Sequence, residues 1–181
     1  MTLNARTPLT EVAVAVGDAL RRHGIRGVLT GGACACLHSH GEYVSRDVDD
    51  VLPTDTPLAE LDAAMAGIRF RRDGNRYLHP RCRFFVEFPA GPLAIGQDSS
   101  PRPVLIRRGA HRTLSLSATD ACRDRLAAFY HWGDRQALKV AVQIACANRV
   151  GIQRIRSWSA DEGATAGFEE FLAAVKAAHR S

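Results

Sequence analysis

Thr30-Gly31-Gly32-Ala33, followed at short range by Ser45-Arg46-Asp47-Val48-Asp49, is the stretch on which the fold turns. Ile25 to Thr30 reads as a short buried strand that runs into the glycine pair. Ala33 to Ser39 then reads as a short helix of small and apolar residues ending near Gly41, and Val44 to Leu52 as the next strand, closed by Pro53. Side chains alternate across a strand, so Asp47 and Asp49 share one face, about 6.6 Å apart along it. Two carboxylates so placed, with no basic residue between them on that face, repel each other unless a cation sits there. Mg²⁺ (or Mn²⁺) suits the pair, because such hard ions take a few carboxylate oxygens and complete their shell with water and substrate phosphate. Glycines at a strand-to-helix turn let the backbone approach a phosphate, and the helix N-terminus offers unpaired N–H donors. Thr30 and Ser45 add hydroxyls to the same phosphates.

Glu87 extends the pattern. It lies in Phe84-Phe85-Val86-Glu87-Phe88, an apolar strand in which a lone buried carboxylate is costly. If that strand pairs beside the first, Glu87 completes a three-carboxylate cluster and serves as metal ligand or as base for an attacking hydroxyl. Each piece also has a plainer reading: a generic turn, a solvated acidic pair, or a partner for Arg83 or a helical arginine. The order and spacing of all three together favour a shared site.

Outward from this unit, Thr7-Pro8 reads as cap and first residue of a helix stopped by Gly24, with Leu9, Val12, Val16 and Leu20 at helical spacing. Thr56-Pro57 repeats the signature for a helix to about Ala66. Ile68 to Arg72, the turn Asp73-Gly74-Asn75, and Arg76 to Leu78 read as a hairpin. Arg83 to Phe88, Val104 to Arg107 and Arg112 to Leu116 are further strands. From Ser117 the character changes to four helices: Thr119 to Tyr130, Asp134 to Asn148, Ile152 to Asp161 and Phe168 to Ala178. The expected class is α+β: a mixed sheet flanked by helices over 1–116, then a helical portion over 117–181 packed on it, with Gln97 to Arg102 the loosest connector. Trp158, Phe168 and Phe171 read as core anchors.

The chain has 181 residues, 46% of them hydrophobic, enough for one ordinary core. No apolar run reaches the roughly 20 residues of a membrane span, and the N-terminus lacks signal-peptide character. The expectation is a cytoplasmic protein without a membrane partner. Five scattered cysteines without Cys-x-x-Cys spacing argue against a disulfide framework or a structural zinc site; they read as buried or incidental thiols. His38-x-His40 has no Cys or acidic partner at metal-site spacing. Residues 1–90 balance eleven basic against eleven acidic side chains, so the net +5 lies wholly in the C-terminal half, which suits polyphosphate or RNA.

These residues resemble the nucleotidyltransferase superfamily, the fold typified by polymerase beta: a Gly-Gly turn (Gly31-Gly32), an acidic-x-acidic pair (Asp47, Asp49) and a third carboxylate on a later strand (Glu87). The Ser45-x-Asp47-x-Asp49 form is most similar to small prokaryotic proteins of the abortive-infection-toxin type. The resemblance implies transfer of a nucleoside monophosphate from an NTP to a hydroxyl of RNA, a protein or a small molecule, with a partner protein in toxin–antitoxin systems. It also implies basic contacts to the nucleotide from helices similar to Asp124-Arg125-Leu126-Ala127-Ala128-Phe129 and Asp134-Arg135-Gln136-Ala137-Leu138, with Arg125, Arg135 and Lys139 as candidates. The pattern places a hydrophobic residue after the second acid, where this chain has Asp50; on a strand Asp50 faces the core. Two further readings stand beside this one. They are an inactive binding or regulatory module of the same fold, and an RNA-binding α/β domain.

Overall fold

The computed structural model describes residues 2–40, 43–89 and 91–180. In chain order the elements are α1 (Leu9–Arg22), β1 (Val28–Thr30), α2 (Gly31–His38), β2 (Asp47–Val51), α3 (Leu58–Gly67), β3 (Arg71–Asp73), β4 (Arg76–Leu78) and β5 (Phe85–Glu87). There follow β6 (Val104–Arg108), β7 (His111–Ser115), α4 (Ala118–Trp132), α5 (Arg135–Ala147), α6 (Ile152–Asp161) and α7 (Thr165–Ala178). The expected α+β class, a mixed sheet flanked by helices and followed by helices, is what the chain forms. Gly41, the expected end of the second helix, lies outside the described residues.

Seven strands form one sheet in the order β3-β4-β5-β2-β1-β7-β6. The centre is mixed: β2 runs antiparallel to β1 and parallel to β5, and β1 runs parallel to β7. The β3–β4 and β6–β7 hairpins close the two edges. Val48 and Val86 are fully buried on the face that α1 and α3 cover. By strand alternation Asp47, Asp49 and Glu87 lie on the other face. A single cluster of buried apolar side chains runs from Leu9 and Val12 through Val48 to Leu126, Ile144 and Phe171, so the helical portion shares the core of the sheet. Trp158, Phe168 and Phe171 are buried in it. Cys34, Cys36 and Cys122 are buried, Cys82 is half-buried and Cys146 exposed.

Helices α2 and α7 begin at Gly31 and Thr165, ahead of the expected Ala33 and Phe168, and the caps of α1 and α3 differ from expectation. Pro8 and Pro57 are the caps of α1 and α3, one position earlier in the helix than expected, and neither gains a side-chain cap bond. The Thr7 hydroxyl instead accepts the Asn4 N–H at 2.9 Å, and the Thr56 hydroxyl donates to the Pro53 carbonyl at 2.8 Å. Each threonine closes the turn before its helix, a local alternative that short hydroxyl side chains offer the backbone. By contrast, Ser117 and Asp134 cap α4 and α5 as such residues do, accepting from Asp120 N and from Gln136 N and Ala137 N.

Candidate active site

The strand register decides the site. Thr30 stands opposite Asp49 across β1–β2, and Asp49 stands opposite Glu87 across β2–β5. One carboxylate oxygen from each of Asp47, Asp49 and Glu87 lies within 4.8 Å of the other two. All three side chains are half-buried at the surface of the sheet. Crowding has a consequence that can be titrated: burial first, then the charges of Asp47 and Glu87, push Asp49 up to about 6, with Arg125 partly offsetting them. Such a cluster of hard oxygen donors is the set a divalent cation such as Mg²⁺ or Mn²⁺ accepts, since the ion removes the repulsion that raises Asp49.

The glycine pair sits against the acids. Gly31, at φ +61°, occupies the left-handed region at the first position of α2, and a Cβ there would overlap Asp49 Oδ2. A Cβ on Gly32 would overlap Ser45 Oγ. Ser45 in turn donates to Asp47 Oδ1 at 2.6 Å, so its hydroxyl orients the first acid. Thr30 is buried, and its hydroxyl makes a long 3.4 Å contact to the Asp49 carbonyl. The structure therefore brings Thr30, Gly31, Gly32, Ser45, Asp47, Asp49 and Glu87 together.

The helical candidates divide. Arg125 on α4 is mostly buried, is held by Asp124 at 2.7 Å, and acts electrostatically on Asp49. Arg135 is instead paired to Glu170 of α7 at 2.6 Å and lies over the Phe129 ring. Lys139, one turn further along α5, is exposed with no ion pair among the described residues. The ion pair with Glu170 holds Arg135 toward α7, a partner that local spacing does not reveal.

Sequence reasoning missed Arg76. It stands opposite Glu87 across β4–β5, donates from Nε to Glu87 Oε1 at 2.8 Å, and lies over the Phe85 ring at 4.6 Å. Arg83, the partner first considered for Glu87, lies over Phe84 instead. The signal was present in the hairpin, since pairing Arg76 to Leu78 beside Glu87 puts the arginine in register with it. Asp50 faces the opposite side as expected: β2 continues through it in register, and its carboxyl is fully buried with neither oxygen hydrogen-bonded to a described residue.

Comparison with solved structures agrees with this architecture. The chain is similar to an antigenic nucleotidyltransferase-like protein from Paracoccidioides brasiliensis, with a TM-score of 0.59, 17% identity, and 78% of this chain and 77% of the other covered. It is similar also to the antibiotic-resistance factor ANT(2'')-Ia, with a TM-score of 0.50, 14% identity, and 96% and 99% covered. No protein-family model matches the chain, and no curated relative is similar enough to count as a match. At these identities the likeness establishes the nucleotidyltransferase-like fold.

Proposed function

We propose that the chain is a metal-dependent nucleotidyltransferase that moves a nucleoside monophosphate from an NTP to a hydroxyl acceptor. The observation that carries this reading is the meeting of Asp47, Asp49 and Glu87 beside Gly31-Gly32, on a fold whose structural neighbours are nucleotidyltransferase-like. Asp47 and Asp49 would hold Mg²⁺ (or Mn²⁺), with Glu87 completing the set. The ion supplies charge neutralisation for the triphosphate and for the charge that develops as the phosphoryl bond exchanges.

The chain's own residues do the rest. The absence of Cβ atoms at Gly31 and Gly32 makes room for Asp49 and Ser45 against the start of α2, whose first N–H groups would receive phosphate oxygens. Arg125, braced by Asp124, adds a cation on the helical side. Ser45 keeps Asp47 turned toward the shared centre. Glu87 has one oxygen held by Arg76, and the other would either complete the metal set or take the proton of the attacking hydroxyl. That hydroxyl oxygen bonds to the α-phosphorus, the bond to the bridging oxygen breaks, and pyrophosphate leaves.

The basic C-terminal half favours RNA over a neutral acceptor, and a toxin-like role with a partner protein is compatible with that choice. The test is transfer of labelled nucleotide by the wild type and by Asp47→Asn and Asp49→Asn. We expect loss of transfer by at least about 10²-fold in each folded variant; unchanged transfer in both would refute the reading.

A further inference from the structure

A second group of side chains lies on the other side of the sheet, where nucleotidyl transfer makes no use of it. The C-terminal halves of α1 and α3, with His79 and the N-terminal residues Thr2 and Leu3, enclose a cleft of about 450 Å³. Its floor is apolar: Leu3, Ala15, Ala19 and Ala64. The one carboxylate in the wall, Asp18, is already satisfied. Burial alone would raise its pKa, yet bonds from His111 (3.0 Å), the Arg112 N–H (3.2 Å) and Arg21 (3.2 Å), with the nearby charge of Arg22, bring it to about 2. Arg22 binds it through Nε alone, at 2.9 Å, which leaves the outer guanidinium nitrogens at the rim.

Two residues of the wall offer donors to an occupant. His79 is 7% exposed, and its Nδ1 accepts the Arg81 N–H at 3.1 Å. The ring proton therefore sits on Nε2, where no described residue accepts it. Burial, then the charges of Arg69 and Arg81, lower its pKa and keep the ring neutral. Arg69, beside it in the wall, closes α3 in the left-handed conformation at φ +68°, with its N–H on the Ala66 carbonyl and the Phe70 N–H on the Met65 carbonyl. Its guanidinium has no ion-pair partner among the described residues.

We propose that this cleft is a second ligand site, remote from the acidic face, for a small organic anion. A carboxylate or phosphate head would sit against Arg69, Arg22 and the His79 Nε2–H, and a short apolar body on the Leu3–alanine floor. The volume is that of ordinary small-molecule pockets, and charge-assisted bonds to guanidinium are the strong ones available. A cation is excluded by the two guanidiniums and by the prior engagement of Asp18. The C-termini of α1 and α3 also end here with partial negative charge, and because Asp18 offsets Arg22, the positive excess in the wall is carried by Arg69.

The test titrates hexanoate and, separately, phenyl phosphate into the full chain without nucleotide or metal, following the His79 ring and Arg69 side-chain signals by NMR. Saturable shifts at both residues in the millimolar range or below support the site, and the probe that saturates identifies the head group. Arg69→Gly is the control that keeps its fold, because glycine relieves the left-handed strain. It should weaken binding about tenfold or more with no fall in melting temperature. Absence of saturable shifts with both probes, shifts centred on Asp47 and Asp49 instead, or unchanged affinity in Arg69→Gly overturns the proposal. Asp47→Asn leaves this binding intact, so failure of the transfer reaction and failure of this site are told apart.

Discussion

At the scale of single residues, Asp49 and Asp50 are neighbours with opposite environments. Asp50 is sealed behind the sheet without a hydrogen-bond partner among the described residues, and burial, with Asp49's charge second, pushes it up to about 8. It is therefore neutral at pH 7 and adds no charge to the acids in front. Because the folded pKa is above the unfolded value of about 3.9, the native state keeps a proton that the unfolded chain has lost between those limits. Stability falls as pH rises through that window, by up to about 1.4 kcal/mol per pH unit. Asp50→Asn should flatten that dependence in chemical denaturation at pH 5 to 8. Asp50→Val, which fits an apolar site on a strand, should stabilise by about 1–3 kcal/mol. Asp49 titrates in the same direction but lower, at about 6. Protons and a divalent cation compete for it, so the rise in melting temperature on adding Mg²⁺ should be clear at pH 7.5 and shrink below pH 6. Asp49→Asn should abolish it, and an Mg²⁺ effect independent of pH and of this substitution would count against the metal site.

At the scale of elements, the β1–α2–β2 unit works by close approach. Gly31→Ala places a methyl group where Asp49 Oδ2 lies and strains a backbone at φ +61°. We expect a loss of about 1–2 kcal/mol in stability and a larger loss of transfer activity, because the second acid must turn away. Gly24→Ala, at φ +75° but with open space around it, separates the two effects. It should cost similar stability with activity intact. This unit was the legible part of the sequence, because local chemistry writes it: small residues at a turn, alternation on a strand, two acids on one face. The Asp134 cap of α5 was legible for the same reason. What escaped depends on contacts between distant segments. Arg76 meets Glu87 only once the β3–β4 hairpin is paired beside β5, and Arg135 finds Glu170 only once α7 packs on α5. Thr7 and Thr56 escaped because a hydroxyl beside a helix start has two local bonds to choose between.

At the scale of the whole molecule, the join between the sheet and the helices is made by a buried cation. Arg123, 1% exposed, donates to Asp120 at 2.8 Å and to Asp98, and lies over the Trp158 ring at 4.9 Å. Asp120, also buried, takes Arg154 of α6 at 3.0 Å and the Ser117 hydroxyl at 2.9 Å. The Trp158 indole N–H reaches the Ile95 carbonyl at 3.3 Å. The connector between β5 and β6 is thus clamped to α4 and α6 through Ile95 and Asp98, although Gln97 to Arg102 within it was expected to be the loosest connector. Asp98, anchored by Ser100 and Arg123, lies well below the usual carboxylate range, so the clamp stays ionised at neutral and mildly acidic pH. Removing one partner of a buried ion network leaves the others uncompensated, which costs about 3–5 kcal/mol. Arg123→Ala should therefore lower stability by that order, whereas Arg156→Ala, which breaks a half-exposed pair with Glu169, should cost under about 1 kcal/mol. Because the residues over 117–181 share one core with the sheet, we expect both variants to unfold in one step. Tryptophan fluorescence and far-ultraviolet circular dichroism should give coincident transitions. If Arg123→Ala separates them, the helical portion is a folding unit of its own and the clamp is what joins it to the sheet.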